Sequence, residues 1–239
     1  MTRSVRHVVR LGIFGALVAA GVALAGGARA AAQNQADVEK RFLEEWAKQP
    51  RVKIAIPPGP SAQVVIVKFN DWMCPGCKWW YENFKPLLAK YQATPGAIRY
   101  VEKDWPWNKA CNPAAQQTIP GHEAACAAAA AVRLAADRGK RETMAEWLYA
   151  HQPETAATRR VALEEVKAKA SELLGIKDFV AEYMKKLPDI QKDVSDGMAV
   201  QIGSTPTYFI NGVRAVQGDG STIPLHYMEL AIQQELKKK

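Results

Sequence analysis

A β-branched run, Val64-Val65-Ile66-Val67-Lys68-Phe69, leads within five residues into Cys74-Pro75-Gly76-Cys77. Such a run suits a buried central strand. The segment after the cysteines, Lys78 to Gln92, carries Trp80, Phe84, Leu87, Leu88 and Tyr91 and reads as a helix, with Pro86 inside it expected to kink it or shift its register. The two cysteines therefore sit at a strand-to-helix junction. There Cys74 would meet the unpaired backbone N–H groups and the positive end of the helix dipole. Those features favour thiolate over thiol, and the thiolate is the attacking species. Cys77, three residues on and more buried, would be the resolving thiol. Pro75 suits helix entry, and Gly76 admits a close neighbour. Two other readings of this spacing stay open: a static structural disulfide, and half of a zinc site. Zinc needs four ligands, usually as a second short pair, and Cys111 and Cys126 are too far apart for one.

The rest of the chain places that junction in an order of elements. Ala36 to Lys48 reads as a short amphipathic helix, Arg51 to Ile56 as an edge strand, and Pro57-Pro58-Gly59-Pro60 as a turn. Ile98 to Val101 is the next strand. Helices follow at 123–137, 142–151, 161–174 and 179–202, the last broken near Pro188. Asn211-Gly212 joins the short β runs Thr207 to Ile210 and Val213 to Val216 as a hairpin. Pro224 to Leu236 closes the chain as a helix. The simplest packing is an α/β fold: one sheet with helices on its faces and a helical block, about 106–202, inserted after the third strand.

The first thirty residues read as a signal peptide. Arg3, Arg6 and Arg10 precede an apolar run from Leu11 to Ala25, and Ala28-Arg29-Ala30 supplies a small-residue cleavage site. An uncleaved N-terminal anchor is the alternative, although the run is shorter than the roughly 20 residues a spanning helix needs. Paired arginines for twin-arginine export are absent. Either way the remainder is expected outside the cytoplasm, periplasmic or otherwise exported, where disulfides persist. Residues 31–49 form a helical segment and 50–239 the main domain. The net charge of +8 falls to +4 once the four leader arginines are removed, which does not argue for nucleic acid. No cofactor or metal is implied.

Ser204-Thr205-Pro206-Thr207 opens a strand with proline. This is either an ordinary trans proline at a strand start or a cis Thr205-Pro206 bond. A cis bond opposite Cys74 would expose the Thr205 backbone to an extended substrate peptide. In an exported chain Cys111 and Cys126 are expected to pair. A staple for the inserted block is favoured over a second redox pair that relays electrons. His122 reads as a surface or capping residue. Trp79 and Tyr81, with Trp72 and Trp107, could form an apolar rim for unfolded chains.

A strand leading to C-P-x-C at a helix start, a helical insertion, and then T-P-T-x-F-I-N-G with a hairpin and final helix resembles thioredoxin-fold proteins of the DsbA type over residues 50 to 239. Phe69-Asn70-Asp71-Trp72-Met73-Cys74-Pro75-Gly76-Cys77 is similar to the F-x-D-[FW]-x-C-P-x-C of DsbA-like domains. Asp104-Trp105-Pro106-Trp107-Asn108, Cys111-Asn112-Pro113 and His122-Glu123-Ala124-Ala125-Cys126 resemble members that work with, or are fused to, vitamin K epoxide reductase homologues. The resemblance implies a thioredoxin fold, Cys74 as nucleophile, Cys77 as resolving thiol and Pro206 as a cis proline facing them. It also implies disulfide donation to unfolded or reduced exported proteins, and reoxidation by a quinone-linked membrane partner, vitamin K epoxide reductase-like or DsbB-like. One position departs from the family: Lys68 stands where a buried acid often serves the resolving thiol as a proton relay. A buried Lys there would favour the thiolates or be neutral itself. Asp71 and Glu102 are weaker candidates for that acid and are expected to be solvated.

Two further readings are a reductase or isomerase, and a chaperone or binding module with a static C-P-G-C disulfide. The chain shows no evident N-terminal dimerisation domain, which weighs against a dimeric isomerase and for a monomer. Pro75-Gly76 supplies no side-chain donor to a thiolate, so a potential below that of the strongest DsbA-type oxidants is expected, with Lys68 able to push the other way.

Overall fold

Strand β1 (Val64–Asn70) is the spine of the molecule. Six of its seven residues are buried, which a β-branched run tolerates only inside a sheet covered on both faces. The computed structural model describes residues 33–152, 161–218 and 223–238. The expected leader, 1–30, lies outside them. The chain divides into two units between Lys48 and Gln49. The first is helix α1, residues 33–48, in which the Phe42 and Trp46 rings lie 6.0 Å apart.

In the second unit β1 pairs in parallel with β2 (Ile98–Asp104), and α2 (Pro75–Gln92) makes the crossover that parallel strands need. On its other side β1 pairs antiparallel with β3 (Thr207–Ile210), which continues into β4 (Val213–Val216). The strand order is β2-β1-β3-β4. Asn211 and Gly212, at φ 46° and 81°, make the two-residue hairpin turn that needs positive φ at both positions. The last helix, α7 (Leu225–Leu236), packs on β1.

Between β2 and β3 the chain builds four helices: α3 (Ala125–Ala136), α4 (Arg141–Ala150), α5 (Leu163–Leu174) and α6 (Phe179–Ala199). The alanine-rich α3 is buried along nearly its whole length and touches each of the other three, because methyl-sized side chains let helices approach from several sides. Gly175, at φ 68°, closes α5 in the left-handed conformation that helix ends favour.

The α/β thioredoxin-like class holds, and two local expectations do not. Residues 51–56 form no strand; prolines flank them on both sides, and among the described residues their one backbone bond across is from the Val52 amide to Gly212 O, at 2.9 Å. The helical block therefore follows the second strand in the chain. Nor does Pro188 break the last inserted helix: α6 runs through it, as α2 runs through Pro86. Among the described residues no helix is long and apolar enough to cross a membrane.

The block is fastened to the sheet by polar and apolar contacts together. Lys103 of β2 bonds Asp193 and Asp196 of α6 at 2.8 and 2.7 Å, and Arg133 of α3 bonds Asp104 and Asp193. Beside them Phe69, Trp105, Val194 and Phe209 form an apolar cluster into which α6 descends at Gly197. A Cβ at Gly197 would lie 2.5 Å from the Trp105 ring and 3.0 Å from Phe69. Gly197→Val is expected to cost about 1–3 kcal/mol by overpacking. Urea unfolding would show a lower midpoint at an unchanged slope.

Candidate active site

The junction between β1 and α2 takes the form its sequence dictates. Cys74 is the N-cap, with extended backbone at φ −83° and ψ 123°, and Pro75 occupies the first turn where an N–H would go unpaired. Asp71 initiates the turn. Its Oδ1 accepts from the Met73 amide at 2.7 Å, and its carbonyl accepts from the Cys74 amide at 3.1 Å. Cys74 is partly exposed, and Cys77, one turn on, is fully buried; both are free thiols.

The Thr205–Pro206 bond is cis. The Cys74 thiol donates to the Thr205 carbonyl at 3.3 Å. A Cβ on Gly76 would approach Pro206 Cδ to 3.3 Å, so the glycine is what lets the helix start lie this close to the proline loop. Trp107 Nε1 donates to Thr205 Oγ1 at 3.0 Å and fixes that loop from the other side. All four residues expected at the site, Cys74, Cys77, Thr205 and Pro206, therefore meet in one place.

The two thiols differ sharply. The Cys74 thiol is lowered to about 6, chiefly by the hydrogen bond it receives from Cys77; burial and the Asp71 charge oppose this, and the Cys77 backbone amide adds to it. The helix-terminal donor anticipated from sequence thus contributes, but less than the partner thiol. Burial is the main force pushing the Cys77 thiol well above its ordinary value, with the nearby Lys68 ammonium partly offsetting it.

Lys68 is fully buried on β1 opposite Glu102 of β2, with Nζ 3.1 Å from Glu102 Oε1. The approach lacks hydrogen-bond alignment, so it is an ion pair held by charge. Glu102 also bonds Arg141, and the Tyr149 and Tyr208 rings lie 6.0 and 5.8 Å from Nζ. Burial works against the Lys68 charge, but Tyr208, Glu102 and Cys77 more than offset it and raise the pKa. Of the two states open from sequence, Lys68 takes the charged one.

Several side chains sit elsewhere than expected. Glu102 is shielded rather than solvated, because it answers Lys68 and Arg141. Asp71 is buried, 1% exposed, and its Oδ2 accepts from the Trp107 amide and meets His122 Nδ1, each at 2.7 Å. His122 is accordingly buried, not a surface cap. Trp72 is also core, its ring tilted against that of Tyr149 and its Nε1 bonded to Asp104 at 3.2 Å, and does not belong to a rim. Trp79, two residues after Cys77 on α2, is half exposed. The Asx turn at Asp71 has a local signature, an aspartate two residues before the amide it caps. The contacts from Trp107 and His122 have none, since their partner is far away in sequence.

Cys111 and Cys126 form a disulfide across a separation of 15 residues, closing the loop that carries His122. Removing it with Cys111→Ser/Cys126→Ser is expected to cost about 3 kcal/mol on the loop-entropy scale, read by chemical unfolding. A second expectation concerns the thiols. Alkylation of the reduced protein should be confined to Cys74, with a half-rate near pH 6. A thiol lowered in the folded state adds stability that is complete above its unfolded value and lost as pH falls through the folded one. The melting temperature of the reduced protein should therefore rise relative to the oxidised form between about pH 6 and 9.

The comparisons agree with this geometry. The thioredoxin family profile matches residues 59–221. No curated protein sequence matches the chain. Among solved structures, a thioredoxin-like oxidoreductase from Silicibacter pomeroyi superposes with a TM-score of 0.52 at 20% identity, covering 78% of this chain and 94% of that one. BdbD from Bacillus subtilis gives 0.51 at 18% identity over 79% and 98% of the two chains. The catalytic domain of Proteus mirabilis ScsC gives 0.51 at 18% over 84% and 97%. At that identity the neighbours establish the fold. With the profile spanning more than half its length, the chain belongs to the thioredoxin family, and it carries a C-P-x-C pair at the strand–helix junction.

Proposed function

We propose that the chain is an exported disulfide donor. The observation that carries this reading is the asymmetry of the pair: one sulfur reachable at a helix N-terminus, the other fully buried behind it. In the oxidised protein a substrate thiolate attacks Cys74 Sγ. The Cys74–Cys77 bond breaks and Cys77 leaves, taking a proton in its buried setting. A second substrate thiolate then attacks the substrate sulfur of the mixed disulfide, and Cys74 departs as the thiolate. Two electrons pass from substrate to protein, and the substrate gains one disulfide. A thiolate held near pH 6 is a good leaving group, and its stability in the reduced protein favours the donating direction.

The Thr205 carbonyl, 3.3 Å from Cys74 Sγ, offers an extended substrate a backbone acceptor beside the reacting sulfur, and Trp79 offers it an apolar neighbour. Reduced exported proteins are the substrates in this reading. A quinone-linked membrane oxidase of the DsbB or vitamin K epoxide reductase type would take the two electrons and restore the disulfide. The leader-like residues 1–30 support export. Thr205 and Pro206 position the substrate; in the donating direction Cys74 is the sulfur attacked and Cys77 the leaving thiol, and in the reverse direction Cys74 is the nucleophile and Cys77 resolves. The competing reductase reading needs a much lower potential. A static disulfide fits poorly with so acidic a thiol.

Equilibration with glutathione buffers, followed by alkylation and mass mapping, should place the Cys74–Cys77 potential roughly between −120 and −180 mV. A value near −270 mV would instead make the protein a reductase. Cys74→Ala should abolish oxidation of a reduced test protein, and Cys77→Ala, offered a substrate disulfide for its Cys74 thiolate to attack, should accumulate mixed disulfides through Cys74.

A further inference from the structure

A buried carboxylate belongs to the residue whose backbone touches both cysteines, and a histidine from the inserted block answers it. The backbone of Asp71 touches both cysteines: its N–H faces Cys77 Sγ at 3.4 Å, and its carbonyl accepts the Cys74 amide. Its side chain is buried and acts against the Cys74 thiolate by repulsion. In a low-dielectric setting such a charge is costly unless compensated. Two backbone amides share that task with His122, whose Nδ1 lies 2.7 Å from Asp71 Oδ2 across 51 positions of sequence. The ring arrives on a fixed loop. The Asn108 side-chain amide donates to the carbonyls of His122 and Glu123 at 3.2 and 2.9 Å, and the Cys111–Cys126 disulfide closes the segment.

We propose that His122 is a positioning residue for the dithiol: by compensating the Asp71 carboxylate it limits the repulsion on the Cys74 thiolate, and so makes the Cys74–Cys77 pair more oxidising. This rests on the exchange reading above. The other titratable groups facing the dithiol are Lys68 from β1 and Tyr149 from α4, with Glu102 from β2 and Tyr208 from β3 grouped around Lys68. Asp71 and His122 act on the same sulfur with opposite sign, which gives the proposal its test.

The protein and its His122→Leu, His122→Asn and Asp71→Asn variants would be equilibrated in glutathione buffers, with each cysteine mapped by mass and Cys74 alkylation followed against pH. His122→Leu should make the pair at least tenfold more reducing in its equilibrium constant, about 30 mV for two electrons, and move the alkylation midpoint up. Asp71→Asn should move both quantities the opposite way. His122→Asn, which retains a donor near the Nδ1 position without the cationic form, should fall between the wild type and His122→Leu. If His122→Leu does not fold, the opposition between His122→Asn and Asp71→Asn decides. Shifts of the same sign, or equilibrium constants within threefold of the wild type whatever the melting temperatures do, would overturn the proposal alone. A wild-type pair that never equilibrates with glutathione would overturn the exchange reading, and this inference with it.

Discussion

Asp71 gathers the segments from which the site is built. Its carboxylate accepts from the Met73 amide just ahead of the helix start, from the Trp107 amide after β2, and meets the His122 ring from the loop before α3. Trp107 then reaches Thr205 with its indole, and Thr205 faces Cys74. Stretches that the chain separates widely are thereby held in register around one buried charge. Charge-assisted hydrogen bonds of this kind are stronger than neutral ones and more exacting in geometry. The carboxylate cannot be moved without loosening the helix start that presents Cys74.

The inserted helices extend this logic beyond the sheet. A thioredoxin-like sheet of four strands covers little area, and the block between β2 and β3 supplies the cover its inner face lacks. The contact between α6 and β2 is both apolar and ionic: the Gly197 approach to Trp105 lies beside the Lys103, Arg133, Asp104, Asp193 and Asp196 cluster. Apolar burial supplies the driving force. The charges fix which face of α6 meets the sheet, because a rotated helix would leave them buried and unpaired.

The sequence was most legible where a signal is local. The strand before the cysteines, the Asn-Gly hairpin and the extents of the inserted helices follow from periodicity and turn chemistry within a few residues. The pairing of Cys111 with Cys126 follows from counting. What escaped was the work done at a distance. Asp71 and Glu102 are charged residues that local pattern assigns to solvent, and only the arrival of His122, Trp107, Lys68 and Arg141 from other segments makes their burial tolerable. Trp72 looked like surface for the same reason, its indole N–H being satisfied by Asp104 from the next strand. Residues 51–56 alternate like a strand, yet prolines at both ends deny them more than one backbone bond into the sheet.

Lys68 shows why a residue read alone misleads about redox tuning. A lone buried ammonium beside the resolving sulfur would pull strongly toward thiolate. Here the ammonium lies 3.1 Å from the Glu102 carboxylate, which itself answers Arg141. Glu102 is shared between two cations, so it offsets part of the Lys68 charge, and the field reaching Cys77 is weaker than that of a lone ammonium. Burial of Cys77 outweighs it, and the resolving thiol remains protonated. That outcome strengthens the partner sulfur, because a protonated Cys77 is the donor that lowers the Cys74 thiol. A Pro-Gly dipeptide between the cysteines offers no side-chain donor, so the thiolate depends on the resolving cysteine, on the helix start and on how much of the Asp71 charge reaches it.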